Sequence, residues 1–178
     1  MTHPTTPPEA RFSEVVQLIQ AAKLQAFKAA NTTLLSLYWQ IGAILSKKLE
    51  TAEWGDSVVE QLAQHLARTQ PGLRGFTRRN LFRMRQFYQA YSTNLQAQAL
   101  ALQLPWTHNL IILSQAKRPE EREVYLRLTL REQWGKRELE RQFKTSLFER
   151  IVLNPPKVTP LVSQMHPDAD SFLRDAYV

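Results

Sequence analysis

Pro71-Gly72-Leu73-Arg74-Gly75-Phe76-Thr77-Arg78-Arg79-Asn80-Leu81-Phe82-Arg83-Met84-Arg85-Gln86-Phe87-Tyr88 reads as a turn followed by an arginine-studded helix. Pro71, Gly72 and Gly75 break two periodic segments apart. Thr77 is placed to cap the helix, because its hydroxyl can accept an amide proton of the first turn. Nothing after it breaks a helix until about Ser92. At about 100° per residue, Leu81, Met84, Phe87, Tyr88 and Tyr91 share one face. Arg79, Arg83 and Gln86 fall opposite, with Arg78 and Arg85 on the flank and no acid among them. One face is built to pack and the other to present guanidinium groups.

Charge outside this helix sharpens the point. The chain has 178 residues and a formal net charge of +7. No Asp or Glu lies between Glu60 and Glu120, while Arg68, Arg74, Arg78, Arg79, Arg83, Arg85, Lys117 and Arg118 do. The remainder holds 15 basic and 16 acidic residues, so the whole excess sits in this interval. A one-signed basic face attracts nucleic acid or another polyanion. Solvated helix faces mix signs, because opposite charges four apart support a helix.

Upstream, residues 1–8 read as disordered, with Thr6, Pro7, Pro8 and Glu9 forming a capping box. A helical rhythm then runs through Phe12, Val15, Ile19, Ala22 and Ala26 and on through Ala29, Thr33, Leu37, Ile41 and Ile44. Only Gly42 is a strong breaker, and Asn31-Thr32-Thr33 is a weak spot. The segment predicts one helix of about forty residues, or two split near Asn31. A helix that long outruns an ordinary core. Its N-terminal half is expected either to pair with another chain as a dimerisation arm or to clasp the domain. Thr51–Gly55 connects it to a second helix over Asp56–Gln70, capped by Asp56 or Ser57, with Val58, Val59, Leu62, Ala63 and Leu66 inward. The order helix, helix, turn, arginine helix has the form of a helix-turn-helix unit, with a longer turn than the tight kind.

Downstream, short helices are expected over Gln96–Leu104 and His108–Ala116, the latter capped by Thr107, with Leu110–Leu113 at the core centre. Another follows Arg118-Pro119-Glu120-Glu121 and runs to about Glu132. The last spans Lys136–Arg150. Its Lys136, Arg137, Arg141 and Lys144 alternate with acids, which reads as a salt-bridged outer face or a secondary phosphate contact. Trp134-Gly135 repeats Trp54-Gly55 at an offset of 80 residues, each before a helix. Residues 152–160 form a proline-rich linker. The fold class is therefore all-α: a multi-helix bundle with a long N-terminal helix and a helix-turn-helix-like unit. Its domain spans residues 9–150, and residues 151–178 begin a further, C-terminal unit.

Chemistry is sparse. There is no cysteine, which excludes disulfides and thiolate metal sites and fits a reducing cytoplasm. No apolar run reaches the length of a membrane span. His3, His65, His108 and His166 are scattered without metal-ligand spacing. Asp168 and Asp170 read as a solvated tail. No glycine-rich phosphate loop or nucleophile motif is present. The expectation is a module with no catalytic centre, no cofactor and no metal.

Several stretches together resemble a family. They are Leu37-Tyr38-Trp39-Gln40-Ile41-Gly42 with Trp54-Gly55; Pro71 to Tyr88; Leu104-Pro105-Trp106-Thr107-His108-Asn109; Arg118-Pro119-Glu120-Glu121-Arg122 with Tyr125 and Trp134; and Leu147-Phe148-Glu149-Arg150. The chain resembles, over Phe12 to Val178, the N-terminal domain of the bacterial YhcG family, a domain of unknown function. The family's pattern has a polar cap where Gly135 and Lys136 stand here. The resemblance implies a PD-(D/E)XK nuclease domain beyond Val178, for which Asp175-Ala176-Tyr177-Val178 looks like the lead-in. It implies a nuclease-associated DNA-binding module and does not make this stretch a nuclease. Arg79, Arg83 and Gln86 are the expected groove-facing side chains, and Arg74, Arg78 and Arg85 the expected phosphate contacts. The alternative is a protein-interaction module whose basic face docks an acidic partner or its own nuclease domain.

Overall fold

The computed structural model describes residues 12–51 and 53–153. Among them are seven α-helices, a π turn and no strand. They are α1 (Ser13–Glu50), α2 (Asp56–Thr69), α3 (Arg78–Tyr91), α4 (Leu95–Ala101), α5 (Trp106–Gln115), α6 (Pro119–Arg131), α7 (Lys136–Lys144) and the turn Glu149–Leu153. The all-α class and the long first helix are as expected. The capping box at Thr6–Glu9 and the unit after residue 153 lie outside the described residues.

Asn31–Thr33 do not split α1. Thr33 Oγ1 donates back to the Ala29 carbonyl at 3.0 Å, and Asn31 Nδ2 donates to the Leu104 carbonyl at 3.2 Å. The helix thus runs 38 residues, about 57 Å at 1.5 Å per residue. Gly42 does not break it either. A Cβ there would lie 2.2 Å from the Met84 carbonyl oxygen and 2.9 Å from Tyr88 Cβ. The glycine is a point of close approach, where the backbones of α1 and α3 meet.

That contact places α3 at the centre. Phe87 and Tyr91 belong to one apolar cluster, with Leu35, Ile112, Tyr125, Leu126 and Leu139. Leu81 and Met84 belong to a second, with Tyr38, Leu45 and Val59. Edge-to-face rings join the two through Trp106, which meets Tyr38 at 4.9 Å and Phe87 at 5.4 Å. Such pairs add about 0.5–1.5 kcal/mol each beyond the area they bury.

The Trp-Gly repeat is structural. Gly55 and Gly135 are both N-caps in extended backbone, and neither helix has a side-chain cap. The expected cap from Asp56 or Ser57 is therefore absent, since Asp56 is already the first helical residue. Trp54 N donates to the Lys48 carbonyl and Trp134 N to the Thr129 carbonyl, each in the last turn of the preceding helix. Four residues past each glycine, Val59 and Leu139 are fully buried. The repeat is a helix-exit lock followed by a bare entrance.

Two other boundaries differ from expectation. α5 starts at Trp106 on Pro105, whose fixed φ suits a helix entrance, so Thr107 is not its cap. α7 stops at Lys144, because Ser146 sits at φ 49°. The reversal carries Phe148 into the core, with the Arg118 guanidinium 4.7 Å above its ring.

Candidate nucleic-acid interface

The connection before α3 is pinned from three sides. Thr77 Oγ1 accepts from Asn80 N at 3.3 Å, making the expected cap. Asn80 Nδ2 donates to the Gly75 carbonyl. Its Oδ1 accepts from Trp106 Nε1 at 3.1 Å. Gly75 takes φ +91°, where a side chain would be strained and would crowd the Tyr38 hydroxyl. One asparagine thus ties the turn to α5 and fixes how α3 leaves the core.

The buried face of α3 holds Leu81, Met84, Phe87 and Tyr91, as its periodicity predicts. Arg78, Arg79 and Gln86 are exposed, and Arg83 and Arg85 are half-buried. Arg79, Arg83 and Gln86 span about 60° of the helix, so they form one group. Arg83 and Gln86 open onto a cleft of about 310 Å³ whose walls come from Thr107, Leu110, Ile111 and Ser114 of α5 and Lys136 and Glu140 of α7. Leu110 and Ile111 are half-buried cleft wall, whereas Ile112 is core and Leu113, though buried, reaches the cleft from the core side. The four-residue apolar run was expected to be core throughout; the helix turns half of it outward.

The other arginines are placed differently. Arg85 lies about 160° round the helix from Arg83, on the opposite flank. Its Nε is buried and finds no hydrogen-bond partner. Arg74 is exposed in the connection. Arg78 lies 4.9 Å over the Phe82 ring, with Nε 3.8 Å from Glu60 Oε2. The helix face expected to be free of acid therefore has one beside it, brought from α2 by the fold. The pair is long and exposed, and such pairs are worth little. Arg74, Arg79, Arg83 and Arg85 make no ion pair among the described residues.

The outer face of α7 is salt-bridged, with Lys136 to Glu140 at 3.9 Å and Arg141 to Glu138 at 2.8 Å. The bond from Arg141 holds the Glu138 carboxyl below the usual range. Lys136 nonetheless joins the α3 cleft. Thr107 and Ser114, its neutral hydrogen-bonding groups, carry no sequence signal that links them to the arginine helix. His108 is buried, with Nε2 3.0 Å from the Trp134 carbonyl, and acts in packing. No group of three or more His, Cys, Asp or Glu among the described residues could hold a metal ion. No helix among them is long and apolar enough to cross a membrane.

These features define a class: an all-helical domain that mounts a basic helix on an aromatic core. Residues 14–150 match the DUF1016 N-terminal domain, and the chain belongs to that family, the N-terminal domain of YhcG-type proteins. A relative from Escherichia coli (strain K12), named "Putative nuclease YhcG", is 25% identical over 191 residues. The match covers 89% of this chain and 50% of the relative, so the chain spans about half of that protein's length. No solved structure matches the chain.

Proposed function

We propose that this chain is a cytoplasmic DNA-binding and oligomerising module, without catalysis of its own, that positions a C-terminal nuclease of the PD-(D/E)XK type. The observation that carries the reading is the acid-free interval between Glu60 and Glu120, which folds around α3 with Arg74, Arg79, Arg83 and Arg85 in no ion pair among the described residues. α2, the connection and α3 act as a helix-turn-helix unit. Arg79, Arg83 and Gln86 enter the groove, and Arg74, Arg78 and Arg85 hold phosphates. Arginine suits both tasks through its bidentate fork. The relative's name supplies the nuclease association, and the N-terminal half of α1 supplies the oligomer contact.

The double substitution Arg79→Ala/Arg83→Ala tests the assignment by fluorescence anisotropy on a random duplex. Arg79 is exposed and Arg83 is half-buried at the cleft, outside both apolar clusters, so the fold should stand. Loss of two bidentate contacts predicts about 30-fold weaker binding or more. Each phosphate contact among those lost should also flatten the log–log salt slope by about 0.9. Unchanged affinity would overturn the assignment. Absence of any duplex binding at low salt would favour the second reading, in which the basic face docks an acidic partner or the nuclease domain. The approach of Glu60 to Arg78 shows that a carboxylate can sit against this face.

A further inference from the structure

α1 has two apolar faces. One, with Leu35, Tyr38, Gly42 and Leu45, is buried against the body. The other is largely in solvent: Phe12 is 63% exposed, Ile19 49%, Leu37 43% and Ile44 54%, while Ile41 is half-buried and also touches the second apolar cluster. A stripe of this length in water calls for a partner.

The spacing of the stripe names that partner. Taken through Ala30 and Leu34, the apolar neighbours of Ala29 and Thr33 on the same side of the helix, it steps from Phe12 by three, four, three, four, four, four, three, four and three residues to Ile44, and reads the same from either end. We propose that two copies of this chain pair through α1 as an antiparallel two-fold rod. Phe12 then lies beside the partner copy's residue 44, Val15 beside 41, Ile19 beside 37, Ala22 beside 34 and Ala26 beside 30. Every bulky end residue meets a bulky one. The alanines meet at the centre, where small side chains let helix axes approach to about 8 Å. This rests on the oligomerising half of the reading above and adds its geometry.

Charge favours the antiparallel sense. Lys23 sits within the stripe on the helix wheel. A parallel pair would stack it on its own copy, whereas the antiparallel register sets it beside residue 33, a threonine. The contact would be long: residues 12–44 span about 48 Å at 1.5 Å per residue.

The register has a consequence for the basic helix. The body lies about 120° round α1 from the stripe. A two-fold axis normal to the helix pair therefore leaves both bodies on the same side. Gly42, where α3 touches α1, lies 28 residues along the rod from its own copy, about 42 Å. One dimer presents two α3 helices to one surface.

The absence of cysteine makes engineered thiols clean reporters. Full-length Ile19→Cys and Leu37→Cys chains are mixed under mild oxidation. A disulfide-linked heterodimer should dominate. Neither chain should link to itself, because like positions are then about 27 Å apart, far beyond the roughly 7 Å that a disulfide spans between Cα atoms. Light scattering of the unsubstituted chain should give two copies per particle. Ile19→Gln should weaken association about 100-fold through two lost apolar contacts, and Leu18→Gln, off the stripe, should not. A monomeric unsubstituted chain would overturn the oligomer reading itself. A dimer whose single-cysteine chains link to themselves would overturn the register and leave that reading standing.

Discussion

Residues 13–30 and 31–50 belong to one unbroken helix, yet they live in different environments. Every side chain described in the first stretch is exposed, whereas the second buries Leu35, Tyr38, Gly42, Leu45 and Ser46. The apolar content of the two is similar. The first is as greasy as a core helix but has no core. The second has two apolar faces and buries one of them. A helix can therefore satisfy its periodicity without revealing which face meets its own domain. The changeover falls at Asn31, whose amide is the last polar anchor to the body.

The sharpest way to break this contrast is to add one methyl group to the packed half. Gly42→Ala would force a Cβ into the Met84 carbonyl. Neither backbone can yield without parting α1 from α3, so a loss of about 3–5 kcal/mol is expected in urea unfolding, at the large end for a single substitution. Ala26→Val in the exposed half should leave the unfolding of the body within about 0.5 kcal/mol of its starting value. A mild Gly42→Ala phenotype would mean that the two helices are not held as close as the structure places them.

Neighbouring residues sharpen the same comparison. Leu45 is 1% exposed and Ile44 54% exposed. Leu45→Ala should cost about 2–5 kcal/mol as transfer and cavity terms add. Ile44→Ala should cost the fold less than about 0.5 kcal/mol while weakening self-association. Thermal melts set beside light scattering separate the two effects. Equal loss of stability from both would place the outer stripe in the fold rather than in an interface.

The sequence makes the helical class, the element order and the buried face of α3 legible, because these rest on long uninterrupted periods and on proline and glycine punctuation. It does not reveal that Gly42 is a contact and not a break, since only the partner backbone of α3 decides that. Ser146 in left-handed backbone and the bare entrances at Gly55 and Gly135 defeat boundary reading, because common cap residues stand beside them and do not cap. For the candidate site, the exposure of Arg79 and Gln86 and the separate flank of Arg85 follow from the wheel. Glu60 beside Arg78 and the cleft shared with α5 and α7 do not, because they join segments far apart in the chain.

Alkaline pH should act on one half only. Burial raises the Tyr38 hydroxyl above its ordinary value, raises that of Tyr91 further and pushes Tyr125 up to about 12. All three stay protonated in the folded state after an unfolded chain would release its protons near pH 10. The folded state then holds more protons, so stability falls as pH rises between about 10 and 12. The stretch from residue 13 to residue 30 contains no tyrosine. Urea midpoints should fall over that pH range, and Tyr125→Phe should flatten the decline. A midpoint that stays level from pH 9 to 12 would remove burial of these hydroxyls as a term in stability.

The smallest expected effect compares two hydroxyls in α1. Ser46 is buried, and its Oγ finds no hydrogen-bond partner. Thr33 is exposed and bonds back to the Ala29 carbonyl. Removing the first deletes a desolvated polar group and replaces serine with a better helix former. Ser46→Ala should therefore stabilise the body by about 0.5–1 kcal/mol. Thr33→Ala also gains helix propensity, about 0.5 kcal/mol, but at an exposed position on the edge of the packed half, where it also gives up the bond to Ala29. It should raise helical ellipticity slightly and leave the unfolding midpoint of the body where it was. If Thr33→Ala moved that midpoint as far as Ser46→Ala, the packed half of α1 would be fully cooperative right up to its changeover at Asn31, and exposure would not separate the two hydroxyls in stability.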